Sequence, residues 1–115
     1  MDAVKRPLPD NPLQFIHRCV GERKILYTYH VNMRLRGRFI SRRYILESWT
    51  EYEIVEEYPT DKYLPSYLVH SEYQGEAFHV LFAADVKGDN VRVVTAYHPS
   101  VDDWEDGFKR RRQSS

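Results

Sequence analysis

Apolar residues recur at helical spacing as far as Trp49, and from Glu53 onward they alternate or cluster with β-branched and aromatic neighbours. In "NPLQFIHRCVGERK", Asn11 reads as an N-cap and Pro12 as the first helical residue. Leu13, Ile16 and Val20 follow at helical intervals, and Gly21 ends the run. The stretch from Ile25 to about Arg36 sets Leu26, Tyr29 and Met33 on one stripe, which predicts a second helix ending at Gly37. Ser41 then caps a third helix, "SRRYILESW", that buries Tyr44, Ile45, Ser48 and Trp49.

The second half reads as strands. "EIVEEY", "SYLVHSEY", "AFHVLFAAD" and "VRVVTAY" are rich in Val, Ile, Tyr and Phe and are separated by turn residues. The loops "QGE" at 74–76 and "KGDN" at 87–90 are of hairpin length, whereas "PTDKYLP" at 59–65, with two prolines, is an irregular link. After Pro99, "SVDDWEDGFKRRR" predicts a last helix, capped by Ser100 and pinned by Trp104 and Phe108. The expected architecture is α+β: short N-terminal helices on one face of a four-stranded antiparallel meander, a C-terminal helix, and the other sheet face partly open.

Length and composition place this in one domain, residues 1–115, with 1–10 and 113–115 as flexible ends. A hydrophobic fraction of 42% and an aromatic fraction of 14% exclude a disordered chain. Cys19, the single cysteine, has no partner for an intramolecular disulfide, and no cysteine ladder of metal-ligand spacing is present. No apolar run reaches the length of a membrane span, and "MDAVKRPLPDNP" lacks the apolar stretch of a signal peptide. The expectation is a soluble cytoplasmic protein.

The formal net charge is zero, yet the signs are segregated. His17 to Arg43 holds eight Lys/Arg against Glu22 alone, and Tyr44 to Asp61 holds six acids and no base. A basic surface steers a polyanion even on a neutral protein, because phosphate contacts answer to the local field. The other reading is complementation of helix dipoles, which is the expectation for the tail, where Asp102, Asp103, Glu105 and Asp106 precede Lys109, Arg110, Arg111 and Arg112.

Within the basic block, His30, Arg34 and Arg38 are spaced i, i+4 and i+8, so a continuous helix carries them on one slowly drifting stripe. An imidazole beside guanidiniums suits acid–base chemistry on a phosphodiester; an exposed, solvated arginine face is the competing explanation. His79 alternates with Phe78 and Val80 and points away from them, either toward a substrate or as a cross-strand surface histidine. Thr95 and Tyr97 fall on the face of Val91 and Val93, which makes a core or edge role the default, although a tyrosine hydroxyl can also bond a phosphate. Lys62, in the irregular link, reaches a phosphate if that loop folds over the sheet. His70 and His98 read as surface residues, and His17 decorates the first helix. No histidine pair has zinc spacing, and neither a phosphate-binding glycine loop nor a Gly-x-Ser-x-Gly elbow occurs, so no metal and no cofactor is expected.

The run "HVNMRLRGRFIS", then a short helix, then "EIVEEYPTDKYLPSYLV" and "FHVLFAADVKGDNVRVVTAYHP", resembles the DUF4258 family over roughly residues 25–112. The resemblance implies a fold of the ribonuclease-toxin kind, similar to RelE-like and MqsR-like (BECR-fold) proteins. It also implies a toxin half of a toxin–antitoxin pair, partnered by a small zinc-finger antitoxin. Carried onto this chain, the matching positions are His30, Arg34, Arg38, Thr95 and Tyr97. The expected activity is metal-independent RNA cleavage, in which His30 moves a proton, Arg34 stabilises developing charge, and Arg38, Lys62, His79, Thr95 and Tyr97 hold the RNA. The other function class is a non-catalytic protein- or RNA-binding module of the same fold, using the acidic first strand and the tyrosine-rich segment.

Overall fold

A computed structural model describes residues 7–28, 31 and 40–113 of the chain. Helix α1 (Pro12–Gly21) begins as its sequence dictates, with the Asn11 side chain accepting the Gln14 N–H at 3.0 Å and Pro12 in the first turn, where no N–H is needed. It stops at Gly21 with Glu22 as C-cap; Arg23 beyond it is left-handed at φ 62°, and the Lys24 N–H returns to the Cys19 carbonyl at 2.7 Å. The chain emerges from this reversal as strand β1 (Ile25–Tyr27).

The expected helix starting at Ile25 is therefore corrected. Leu26, assigned to a buried helical stripe, is 51% exposed, and its neighbours Ile25 and Tyr27 pack on the core. Three residues are too few to display a period of two, and pairing with a distant strand decides their state. Tyr29 and Met33, the rest of that stripe, lie outside the described residues. Val31 is helical and fully buried, and its N–H bonds the Thr28 hydroxyl at 3.2 Å.

Helix α2 (Arg42–Glu47) follows Ser41, which takes the N-cap position without a side-chain bond, and a 3-10 turn spans Trp49–Glu51. Then come β2 (Glu53–Tyr58), β3 (Ser66–Tyr73), β4 (Glu76–Asp85) and β5 (Asn90–Tyr97). The sheet order is β1-β5-β4-β3-β2; β1 runs parallel to β5, and the other pairs are antiparallel. The four-stranded antiparallel meander is thus a five-stranded mixed sheet, the added strand being the triplet read as helix.

Two register irregularities shape the sheet. Leu81 faces Thr95 whereas Phe82 faces Val93, so Val94 is an extra residue bulged from β5. Ile54 faces Val69 whereas Glu56 faces Leu68, which leaves Val55 extra in β2. The β3–β4 turn is of the primed kind, Gln74 and Gly75 both having positive φ (52° and 82°).

Helices α1 and α2 cover one sheet face. Ile16, Cys19, Val20 and Ile45 are buried with Val69, Phe78, Val80, Phe82, Ala84, Val91 and Val93. Two pairings satisfy polar groups in this core: the Tyr52 hydroxyl donates to the Ile45 carbonyl at 2.6 Å, and the Ser71 and Ser48 hydroxyls meet at 2.8 Å.

The expected C-terminal helix is corrected as well. Ser100 starts a turn, accepting the Trp104 N–H on its carbonyl at 3.0 Å, but the chain then doubles back through Gly107 (φ 87°) and Phe108 (φ 58°) to pair Trp104 with Arg111. Trp104 is buried against the sheet at 2% exposure. Burying an indole outweighs an i,i+4 contact with Phe108, which is worth only a few tenths of a kcal/mol, about 0.2–0.5, on an isolated helix. No helix among the described residues is long and apolar enough to cross a membrane.

The β4–β5 turn depends on Gly88, whose N–H donates to Asp85 at 2.9 Å; a Cβ there would stand 2.5 Å from the Asp85 carboxylate and 2.8 Å from the Asn90 amide. Gly88→Ala is expected to cost about 1–3 kcal/mol of stability through displacement of the Asp85 network, read as a lowered denaturation midpoint in urea.

Candidate functional site on the second face of the sheet

The face turned away from the helices presents a polar row across four strands. Register places Glu53 of β2 opposite His70 of β3, His70 opposite His79 of β4, and His79 opposite Tyr97 of β5. The neighbouring row is Glu56, Leu68, Leu81 and Thr95. Thr95 and Tyr97 reach this face because of the Val94 bulge; without it they would share the core face of Val91 and Val93, as the alternation of the sequence suggested.

Residues 98–112 lie over the polar row as a strap. Trp104 meets the His79 ring edge-on, with centroids 4.4 Å apart. His79 Nε2 lies 2.7 Å from the Phe108 carbonyl, which only accepts, so Nε2 carries the proton and Nδ1 is left to accept from the Tyr97 hydroxyl at 3.4 Å. Two ion pairs fasten the rim: Lys109 to Glu53 at 3.0 Å, and Arg111 to Glu56 through two bonds of 2.9 and 3.0 Å. Arg111 also lies over the Trp104 ring at 4.5 Å.

His79 is consequently no surface histidine. It is completely buried, and removal from water holds its pKa down at about 4, against the partial support of the Phe108 hydrogen bond. His70 is 3% exposed, its pKa is also lowered by burial, and its Nε2 has no hydrogen-bond partner. This corrects its reading as a surface residue.

Beside the strap, an open groove of about 370 Å³ has Leu68 and Leu81 as its apolar lining. Thr95, Tyr97, Tyr58 and Arg111 bring hydroxyls and a guanidinium to it, and Asp61 adds a carboxylate to the lining. The Tyr58 hydroxyl donates to Glu56, so one carboxylate takes both the phenol and the guanidinium. The bond from Arg111 holds Glu56 below the usual carboxylate range, and burial raises Tyr97 against the pull of Arg111. A guanidinium and several hydroxyls over an apolar lining form a site suited to a phosphate joined to a flat, apolar-faced group.

The structure therefore brings Thr95, Tyr97 and His79 together, with His79 closed off behind the strap. Lys62 sits on the β2–β3 link, exposed, with its Nζ 5.2 Å from the Tyr63 ring, and does not line the groove. His30, Arg34 and Arg38 lie outside the described residues. Among the described residues, no group of three or more His, Cys, Asp or Glu side chains is placed to hold a metal ion.

Sequence reasoning missed Glu53, Glu56, Tyr58, His70 and Arg111. The histidine pair had a signal: a two-residue turn at Gln74–Gly75 sets Tyr73 against Glu76, and counting three residues outward from each puts His70 opposite His79. Arg111 had none, because its place depends on a segment read as helix.

Residues 27–98 match a protein family described as a domain of unknown function, DUF4258. No curated protein and no solved structure matches the chain.

His79 gives the site a pH signature. Its folded value lies below that of an unfolded histidine, 6.5, so between pH 6.5 and about 4 the unfolded chain binds the extra proton and acidification destabilises the fold. The loss from this group reaches about 3 kcal/mol. His79→Gln, whose amide still reaches Phe108, is expected to remove that part of the slope, measured as urea unfolding at neutral and mildly acid pH.

Proposed function

This chain belongs to the DUF4258 family, and on that premise we propose that it is a metal-independent endoribonuclease, the toxin half of a toxin–antitoxin pair whose partner is a small zinc-finger protein. The observation that carries the reading is the convergence of Thr95 and Tyr97, drawn from β5 by a bulge, with Arg111 on one open groove. RNA lies across the second face of the sheet, its phosphate at Arg111 and the β5 hydroxyls, and a base against Leu68 and Leu81.

The chemistry is transphosphorylation. The 2′-oxygen attacks the adjacent phosphorus as its proton passes to a base, the bond to the 5′-oxygen breaks, and an acid protonates that leaving oxygen. His30 takes part in the proton transfer and Arg34 stabilises the equatorial oxygens as charge builds, with Arg38 and Lys62 as further phosphate contacts. No step calls for a metal ion or a cofactor.

Incubating the purified protein with RNA in excess EDTA tests this. Cleavage is expected to persist, to fall by about 10²-fold or more in His30→Ala and in Arg34→Ala, and to show a raised KM in Tyr97→Phe. Intact RNA at high protein concentration, together with unimpaired growth of bacteria expressing the chain, would overturn the proposal in favour of a non-catalytic binding module. Cleavage unaffected by the two alanine variants would instead remove His30 and Arg34 from the mechanism.

A further inference from the structure

We propose that the strap of residues 98–112 is a latch over the Glu53–His70–His79–Tyr97 row, released when a phosphate entering the groove draws Arg111 away from Glu56. The proposal rests on the reading of the groove as an RNA site and concerns how that site is regulated.

Three features of the closed strap support it. The first is what the strap hides. His79 has no exposed surface, and His70, 5.5 Å away between ring centroids, keeps a buried Nε2 with no partner. A buried polar nitrogen left unpaired is a standing cost to the closed state, and solvent or a ligand would satisfy it on opening. The row is a set of proton-transfer groups, one carboxylate, two imidazoles and a phenol; with the strap down the two imidazoles are shut off from solvent, while Glu53 stays exposed at the rim and Tyr97 borders the groove.

The second is how the strap is fastened. Its two ion pairs lie at the rim, where Lys109 and Arg111 each keep half of their side-chain surface exposed. Exposed pairs of this kind yield readily to a competing anion. The tip of the strap also holds Phe108 at φ 58°, an unfavourable conformation for a bulky side chain, in the residue whose carbonyl accepts the His79 N–H.

The third is that one residue belongs to both structures. Arg111 lines the groove and closes the strap. A phosphate in the groove and the Glu56 carboxylate thus compete for a single guanidinium, and occupancy of the groove is coupled to release. Once lifted, the run Lys109 to Arg112 carries four consecutive cations that an RNA backbone retains. Apart from His98, the strap lies outside the matched residues 27–98.

The charged and titratable groups facing the row are Glu53 and Glu56 from β2, His70 and Glu72 from β3, His79 from β4, Tyr97 from β5, and Asp103, Lys109 and Arg111 from the strap. Glu53 and Glu56 are held by Lys109 and Arg111 of the strap, so a ligand that neutralises those cations frees both sides of the latch.

Acylation of the histidines of the full chain by diethyl pyrocarbonate, mapped by mass spectrometry, tests the latch. The probe is a 2′-O-methyl oligoribonucleotide, whose blocked 2′-oxygen prevents cleavage, with binding followed by fluorescence polarisation. His70 and His79 are expected to be protected in the free protein and labelled about tenfold faster with bound oligonucleotide. A Glu53→Gln/Glu56→Gln double variant, confirmed as folded by circular dichroism, is expected to label at the faster rate without it. Unchanged labelling of His79 at saturating oligonucleotide, or failure of the oligonucleotide to bind, would overturn the latch, and the wild-type arm decides even where the variant does not fold. Labelling that rises without any cleavage of unmodified RNA sinks the ribonuclease reading and leaves the latch standing. Cleavage with His79 still protected sinks the latch alone.

Discussion

Val94 bulges out of β5, and the division of the sheet into two working faces depends on that one residue. On its N-terminal side Val91 and Val93 point into the core beneath the helices; on its C-terminal side Ala96 continues the core, while Thr95 and Tyr97 point the other way, beside Leu81 and His79. A continuous strand would have sent both hydroxyls into an apolar interior, where each would need a partner or cost of the order of 1–3 kcal/mol. The extra residue settles the conflict at a position that is itself partly exposed and so loses little burial. The β2 bulge at Val55 lets Ile54 stay with the core while Glu53 and Glu56 both face the second side. Two insertions, one in an edge strand and one in an interior strand, thus gather the polar groups of four strands on one surface.

Closing that surface is an expensive arrangement unless every polar group behind it is answered. His79 is answered on both nitrogens, by the Phe108 carbonyl and the Tyr97 hydroxyl, and its low pKa keeps it neutral, so no charge is buried. His70 is not so answered, its buried Nε2 being bare. The strap is held by a few directional contacts around one buried indole, in contrast with the continuous apolar packing of α1 on the opposite face. Directional contacts are lost together when one is broken, whereas a packed core yields only by unfolding.

Most of the sheet was legible in the sequence because hairpin grammar is local: Gln74–Gly75 and the turn around Gly88 mark β3, β4 and β5 within a residue or so of where they lie. Helix α1 was equally plain from Asn11, Pro12 and its apolar period. What failed was non-local. Ile25–Tyr27 becomes a strand only because Val91 and Val93 are beside it, and no window of three residues can announce a parallel partner 66 positions away. The C-terminal segment has a helical pattern, but the groups that bind Trp104, Lys109 and Arg111 are on β2 and β4. The Val94 bulge was hidden for the same reason, since only the partner strand reveals that a residue is extra. At the candidate site this meant that Tyr97, Thr95 and His79 were named from the sequence while their common face was not, and that the residues contributed by pairing and by the strap went unnamed.

The segregated charges find their explanation in the same non-local contacts. With no helix in the tail, its bases have no dipole to complement; Lys109 and Arg111 instead meet Glu53 and Glu56 of the acidic segment. At the other end of the molecule Arg18 and Lys24 converge on Asp89 of the β4–β5 turn, and together they pull its pKa down to about 2. In both places opposite signs belong to segments far apart in the chain that meet in the fold. The two meetings differ in what they serve. The Asp89 cluster fastens a helix to a turn beside a buried core. The Glu53 and Glu56 pairs lie at the rim of a groove that shares Arg111 with them, so a charge arriving there alters the contact that keeps the second face closed.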